Sequence, residues 1–312
     1  MRQLACAIAI ATAALPATAE ARTGISPDRI VVATKAGSAT VTRNPFGIAF
    51  ADRRGRTLLA ETPAAGQGVL PVVPVPDPIP LGQDTQKRPT LYAPLQFVVG
   101  ASRDVQHPAE QWEGNELSGT EAGVMFSAVA VTDAKPADGG VKLTVSTTDP
   151  SGRHLIVTIA PSGNGFRVNA RPDPPDGVAT MGDSFRAATG EAFHGFGGRH
   201  NSLDQSGQDF YNWIEQENLG AGEADPAIAP SPTSGGEGYL FPDGATAAYW
   251  VQSQFVSSNG YGFLLDRDEI SRWRMASDRP DAWQVNAAAP ALDYLVVPAG
   301  DAAKAVAGLT AI

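Results

Sequence analysis

The stretch that decides the fold is VKLTVSTTDPSGRHLIVTIAPSGNGFRVNAR, residues 141–171. Apolar side chains alternate with polar ones in 141–148 and again after Arg153, which is the period of a half-buried β-strand. Between them, Asp149-Pro150-Ser151-Gly152 has aspartate first, proline second and glycine fourth, as a type I turn prefers. The stretch therefore predicts antiparallel strands joined by tight turns.

The same pattern extends outward from this stretch. Residues 29–60 read as successive short strands, 247–266 as a hairpin turning at Asn259-Gly260, and 291–298 as a last strand. We therefore predict an all-β antiparallel sandwich over 22–300. Residues 63–94 carry eight prolines, which lack backbone donors, and this predicts an extended surface loop.

One helix is expected, at the end of the chain. Asp301 can cap the segment 302–312, and Ala302, Val306 and Leu309 fall on one apolar face. Trp250, Trp273 and Trp283 all lie in alternating stretches, and we expect them to pack in the core or against a sheet face.

Composition favours a turn-rich fold and argues against a nucleic-acid partner. Gly and Pro number 33 and 25 of 312 residues, which favours many turns over long helices. The net charge is −10 and no cluster of Lys or Arg is evident, so a nucleic-acid partner is not expected.

Residues 1–21 have the pattern of a secretory signal. Arg2 precedes an apolar run from Leu4 to Leu15, and small residues follow at signal-peptidase spacing. The run is shorter than the roughly 20 apolar residues that cross a bilayer. We expect an exported protein, periplasmic or extracellular, with no membrane span after signal removal. The single cysteine, Cys6, would leave with the signal.

The segment 191–220 has the highest concentration of residues that could take part in binding or catalysis: glycines, histidines, Arg199, aromatic residues and acids. Its glycines do not form a dinucleotide-binding fingerprint. His194 and His200 flank a turn and have no carboxylate or thiol at ligand spacing, so hydrogen-bonded turn histidines are favoured over a metal site. Glu215 and Glu217 would project from one surface instead of flanking a sugar, which argues against a glycosidase pair. No metal and no cofactor are predicted.

FHGFGGRHNSLDQSG, residues 193–207, resembles the F-x-G-x-G-E-R…L-x-Q-x-G segment of glycoside hydrolase family 31, the α-glucosidase and α-xylosidase family. The next segment, YNWIEQENLG, is similar to its sulfoquinovosidase-like members. Residues 247–266, 41–59 and 291–312 resemble further stretches of the family's N-terminal sandwich. One position departs: the family's glutamate is Gly198 here, which leaves Arg199 without that partner.

The resemblance implies a galactose-mutarotase-like supersandwich, which in the family precedes a (β/α)₈ catalytic barrel. Residues 301–312 would then begin the helix that leads into that barrel, and no catalytic residue is expected in this chain. The family hydrolyses α-glycosides with retention, and a loop of the sandwich borders the sugar pocket. Arg199, Trp213, Glu215 and Gln216 are the candidate substrate contacts, because an indole stacks on sugar C–H faces while acids and amides bind hydroxyls. For Trp213, packing against the barrel is an alternative of equal weight to contact with the sugar.

Two alternatives remain. A stand-alone carbohydrate-binding module would display an exposed aromatic platform. An aldose epimerase would use a histidine acid and a carboxylate base; His154 and His194 lie 40 residues apart, and nothing in the sequence brings a glutamate to them, which makes this the weaker alternative.

Overall fold

The computed structural model describes residues 21–63, 68–69, 92–100, 123–199, 201–212, 248–277 and 279–311. The elements in these ranges are β1 (Arg22–Ile25), β2 (Arg29–Ala33), β3 (Gly37–Thr42), β4 (Gly47–Asp52), β5 (Thr57–Ala60), β6 (Gly68–Val69), β7 (Gln96–Val99), β8 (Val124–Phe126), β9 (Ala128–Ala137), β10 (Gly140–Thr147), β11 (His154–Ser162), β12 (Gly165–Asp173), β13 (Val178–Arg186), β14 (Phe193–Arg199), β15 (Gln208–Asn212), β16 (Ala248–Ser257), β17 (Gly262–Leu265), β18 (Ser271–Met275), β19 (Ala282–Ala287), β20 (Leu292–Val297) and α1 (Ala302–Leu309).

The strands form three antiparallel sheets, which confirms the predicted all-β sandwich with a short C-terminal helix. A five-stranded sheet runs β1-β2-β3-β4-β5, and an eight-stranded sheet runs β14-β16-β17-β20-β12-β11-β10-β9. A seven-stranded sheet runs β15-β18-β19-β13-β7-β8-β6.

The turns that the sequence predicted are present. In 149–152 the Gly152 amide donates to the Asp149 carbonyl at 3.1 Å, and the Asp149 side chain accepts from the Ser151 amide at 2.8 Å. At the second turn Gly260 has φ +93°, and a Cβ there would lie 2.6 Å from the Gly300 carbonyl carbon. Glycine is therefore required at 260 both by backbone conformation and by space.

The core between the eight- and seven-stranded sheets is a layer of aromatic rings. Phe255 and Phe263 of the larger sheet meet Trp283 of the smaller one edge-on, with centroids 5.2 and 5.1 Å apart. Trp273 and Trp283 are fully buried, as predicted. Trp250 is not: its side chain is 59% exposed, so its expected packing was wrong. Alternation separates the two faces of a strand but does not reveal which face another layer covers.

Helix α1 begins at the predicted cap, and Val306 of its apolar face is exposed. The Asp301 carboxylate accepts a hydrogen bond from the Lys304 amide at 2.9 Å. The buried positions are Ala305 and Gly308, whereas Val306 is 50% exposed. A Cβ at Gly308 would lie 2.5 Å from a Val297 methyl, so the helix approaches β20 closely at this glycine.

The proline-rich stretch 63–94 is described in part. Gly68–Val69 forms β6 and pairs with β8, so the expected loop contains a short strand. Residues 64–67 and 70–91 lie outside the described residues. For them the loop stays a prediction.

Candidate functional site

The motif segment 193–212 joins the two large sheets at one side of the sandwich. Its first strand, β14, is the edge of the eight-stranded sheet, and its second, β15, is the edge of the seven-stranded sheet. The turn between them is held by Asp204, which accepts from the Phe193 amide at 3.0 Å and the Ser206 amide at 2.9 Å. Any loop that leaves β15 therefore starts at the rim where both layers meet.

Arg199 lies at that rim and holds three strands together. Its guanidinium sits 3.8 Å from the ring centre of Phe210 and donates to the Tyr211 carbonyl at 3.1 Å and to the Asn212 side chain. Asn212 in turn donates to Ser253 on β16 at 3.0 Å. Burial lowers the pKa of the Arg199 guanidinium to about 9, which leaves it charged at neutral pH.

The other three candidate contacts follow Asn212 in the chain. Trp213, Glu215 and Gln216 lie outside the described residues. Arg199 is thus placed directly beside the point where the chain enters the segment that carries them.

The two histidines considered for an epimerase are far apart. His154 is on β11 and His194 on β14, five strand spacings away in the same sheet, or about 24 Å. The His194 ring nitrogen Nδ1 lies 3.0 Å from the Leu203 carbonyl oxygen, a turn contact of the kind the sequence favoured. His200 lies outside the described residues. In the part of the chain that the structure describes, no group of three or more His, Cys, Asp or Glu side chains could hold a metal ion.

A buried carboxyl pair, Glu61 and Asp183, was not expected from the sequence. Asp183 is fully buried in β13 and accepts from the Leu95 amide at 3.1 Å, the Ser184 amide at 2.8 Å and the Tyr294 hydroxyl at 2.9 Å. Glu61 is 5% exposed, and the Ile48 amide donates to its Oε2 at 2.6 Å. An aspartate inside the strand 178–186 was the available signal, since isolated acids are rarely buried without partners. Enclosed in this way, the pair ties the sheets together and cannot reach a sugar.

Burial raises the pKa of both carboxyl groups of this pair. Loss of solvent raises the pKa of Asp183 to about 7, against the hydrogen bonds from Leu95 and Tyr294, which lower it. Desolvation and the neighbouring Asp183 hold the pKa of Glu61 well above its usual range. Asp183 accepts hydrogen bonds from Leu95, Ser184 and Tyr294, whereas Glu61 accepts one from Ile48. These donors stabilise the ionised form of Asp183 more than that of Glu61, so the proton that the pair retains stays on Glu61.

This pair predicts that stability falls as pH rises from 5 to 8. Below about pH 4 both groups are protonated in the folded and the unfolded chain; above it, the unfolded chain loses protons that the folded protein retains. The free energy of unfolding should therefore drop, on the order of 2–4 kcal/mol, as pH rises through about 7. Urea denaturation at four pH values measures it.

Glu61→Gln is the matched variant for this measurement. Glutamine reproduces the protonated glutamate, because it can donate to Asp183 and accept from the Ile48 amide, but it cannot ionise. The variant should show a flatter dependence between pH 5 and 8. Equal slopes in both proteins would contradict the assignment.

Trp250 is the largest exposed aromatic side chain among the described residues. It lies on β16 beside the edge strand β14, on the face turned away from the aromatic core. An exposed aromatic side chain is the feature expected of a carbohydrate-binding module, whereas Trp250 was expected to be packed.

No family model matches this sequence, and no curated protein matches it significantly. Solved structures that it is similar to include a cycloalternan-forming enzyme from Listeria monocytogenes, crystallised with a pentasaccharide substrate, at 14% identity and a TM-score of 0.43. That match covers 89% of this chain and 15% of the enzyme. Another is a family 31 sulfoquinovosidase from E. rectale, at 15% identity and a TM-score of 0.45, over 69% of this chain and 30% of that one.

A family 31 α-xylosidase from Xanthomonas citri matches at 13% identity and a TM-score of 0.32, over 81% of this chain and 13% of the enzyme. The chain therefore spans less than a third of the length of each of these three enzymes. At these identities and TM-scores the likeness assigns no activity to the chain.

Proposed function

We propose that the chain is the N-terminal, non-catalytic sandwich domain of an exported α-glycosidase of family 31, with the galactose-mutarotase-like fold. The observation that carries the proposal is that two of the segments that carry the resemblance are neighbours. The first, 193–207, supplies β14, and the second, 247–266, supplies β16 and β17; β14 pairs with β16, and β16 with β17. The residues that carry the sequence resemblance thus form one continuous part of one sheet.

Within this proposal, Arg199, Trp213, Glu215 and Gln216 border the sugar pocket of the complete enzyme. Arg199 supports that role by anchoring the start of the segment through Phe210 and Asn212. A buried guanidinium fixed on both sheets gives the following loop a rigid base, which a loop needs if it is to position side chains at a ligand.

The catalytic barrel is proposed to be the chain's covalent partner. Helix α1, from which the barrel would continue, packs on β17 through Leu309, whose Cδ1 lies 2.8 Å from where a Gly262 Cβ would stand. The junction is thereby fixed to the same sheet that carries the motif segments.

This chain by itself is expected to release no nitrophenol from a panel of 4-nitrophenyl α-glycosides. Hydrolysis needs an acid to protonate the leaving group and a nucleophile or base about 5–10 Å away, and the buried pair Glu61–Asp183 is closed to substrate. Circular dichroism dominated by strand shows that the assayed protein is folded. Release that scales with enzyme and survives repurification would overturn the proposal.

Export is proposed from residues 1–21, and the mature N-terminus of the secreted protein tests it. The first strand, β1, begins at Arg22, directly after the proposed signal. Among the described residues, none of the helices is long and apolar enough to cross a membrane.

A stand-alone carbohydrate-binding module is the second candidate. The exposed Trp250 favours it, because such modules hold sugars on solvent-facing aromatic rings. The two candidates differ in whether the gene continues into a barrel.

A further inference from the structure

Strand β16 carries two glutamines on the outer face of the eight-stranded sheet and an exposed tryptophan just before them. Ser253 faces inward, where it accepts from Asn212, and Phe255 is buried in the aromatic core, so Gln252 and Gln254, which alternate with them, point the other way. Trp250, two residues before Gln252, is 59% exposed, and the pairing of β16 with β14 is irregular on both sides of Val251. We call Trp250, Gln252 and Gln254 the Trp250 surface.

The side-chain amides of Gln252 and Gln254 form one hydrogen bond with each other, and each keeps further donor or acceptor groups for a ligand. Gln254 Nε2 donates to Gln252 Oε1 at 3.2 Å. No hydrogen bond to another described residue occupies the Nε2 group of Gln252 or the Oε1 atom of Gln254. An amide nitrogen carries two donors and an amide oxygen accepts twice, so the surface offers both kinds of group.

On the neighbouring strand β14, Gly195 pairs with Phe255 and Gly197 with Val251. Gly195 and Gly197 have φ of +149° and +87°, and a Cβ would lie 2.5 Å from the Gln254 carbonyl oxygen and 2.1 Å from that of Trp250. Neither position can therefore carry a larger residue without moving a strand.

We propose that the Trp250 surface binds one pyranose ring of a neutral saccharide. The indole offers a flat apolar face for the C–H side of the ring, and the amides offer a donor and an acceptor for its hydroxyl groups. The three side chains are uncharged, which suits a neutral polyol better than an anion. The choice of an α-glucan as ligand rests on the proposed function; the site itself rests on the geometry of β16.

The site is shallow and has one aromatic platform, so we expect dissociation constants on the order of 1 mM. It is distinct from the Arg199 rim, since Arg199 points inward onto Phe210 while Trp250 points outward. The Trp250 surface would give a long substrate a second point of contact and so raise the local concentration of that substrate at the enzyme.

Isothermal titration of the folded chain with maltohexaose and isomaltohexaose tests the proposal. We expect millimolar binding of at least one, weakened about tenfold or more by Trp250→Ala and by less in Trp250→Tyr, which retains a ring. Val129→Ala, an exposed apolar change on β9 at the opposite edge of the same sheet, should bind as the wild type does.

Two results would overturn the proposal. One is the absence of binding by a wild-type chain whose thermal unfolding is cooperative, and the other is equal binding by Trp250→Ala. If Trp250→Ala instead weakens association with a separately supplied barrel, the surface is a protein contact. If the barrel-containing gene product hydrolyses α-glycosides but no saccharide binds at Trp250, the proposed saccharide site is wrong and the proposed function is still supported.

Discussion

Replacing Asp183 with alanine is expected to lower the free energy of unfolding by about 3–5 kcal/mol at pH 7. The change leaves the buried Leu95 amide and the Tyr294 hydroxyl without their acceptor, and the proton of Glu61 without its partner. Each unsatisfied buried group costs about 1–3 kcal/mol, and partial relaxation keeps the total below their sum. Urea denaturation followed by circular dichroism measures the loss.

Two further variants separate the causes. Asp183→Asn keeps Oδ1, which accepts from both Leu95 and Ser184, and its amide can donate to the Tyr294 hydroxyl, so it should lose less than alanine does. Asp28→Ala, at an exposed carboxylate, should stay within about 0.5 kcal/mol of wild type. An Asp183→Ala protein as stable as Asp28→Ala would show that the network does not hold the sheets.

The second large effect is expected from Trp283→Ala, which should cost about 3–5 kcal/mol. The indole is fully buried, stacks on Phe185 with centroids 4.5 Å apart, and donates from Nε1 to the Tyr261 hydroxyl at 3.0 Å. Its removal opens a cavity between two sheets whose strands are fixed by hydrogen bonds and cannot collapse fully.

Trp250→Ala is the matched control because it removes the same side chain from the surface. This substitution is expected to change the free energy of unfolding by no more than about 0.5 kcal/mol, because the side chain is exposed. Chemical denaturation compares the two variants directly. A Trp283→Ala protein as stable as Trp250→Ala would contradict the arrangement of the core.

Strands and turns were predictable because their causes are local. Alternation in 141–147 and the turn residues Asp149 and Gly152 act over a few positions, and the structure has the strands and hydrogen bonds they imply. The network around Asp183 was not predictable, because its partners Leu95 and Tyr294 are 88 and 111 positions away in the chain.

The wrong expectation has a physical reason. Trp250 was assigned to the core or to a packed sheet face by period alone, and the period of a strand identifies its two faces without showing which one another layer covers. Trp250 stays exposed on β16, the strand next to the edge of its sheet. For the site, the sequence indicated the segment around Arg199 but not its role as an anchor on Phe210.

The central claim, that this chain is the non-catalytic sandwich of an α-glycosidase, is tested most directly by comparing two proteins from the same gene. One is this chain, and the other is extended through whatever reading frame follows codon 312. Both are assayed on the same 4-nitrophenyl α-glycosides, with folding checked by circular dichroism. We predict hydrolysis by the extended protein and none by the chain alone. Hydrolysis by the chain alone, or a stop codon directly after Ile312, would contradict the claim.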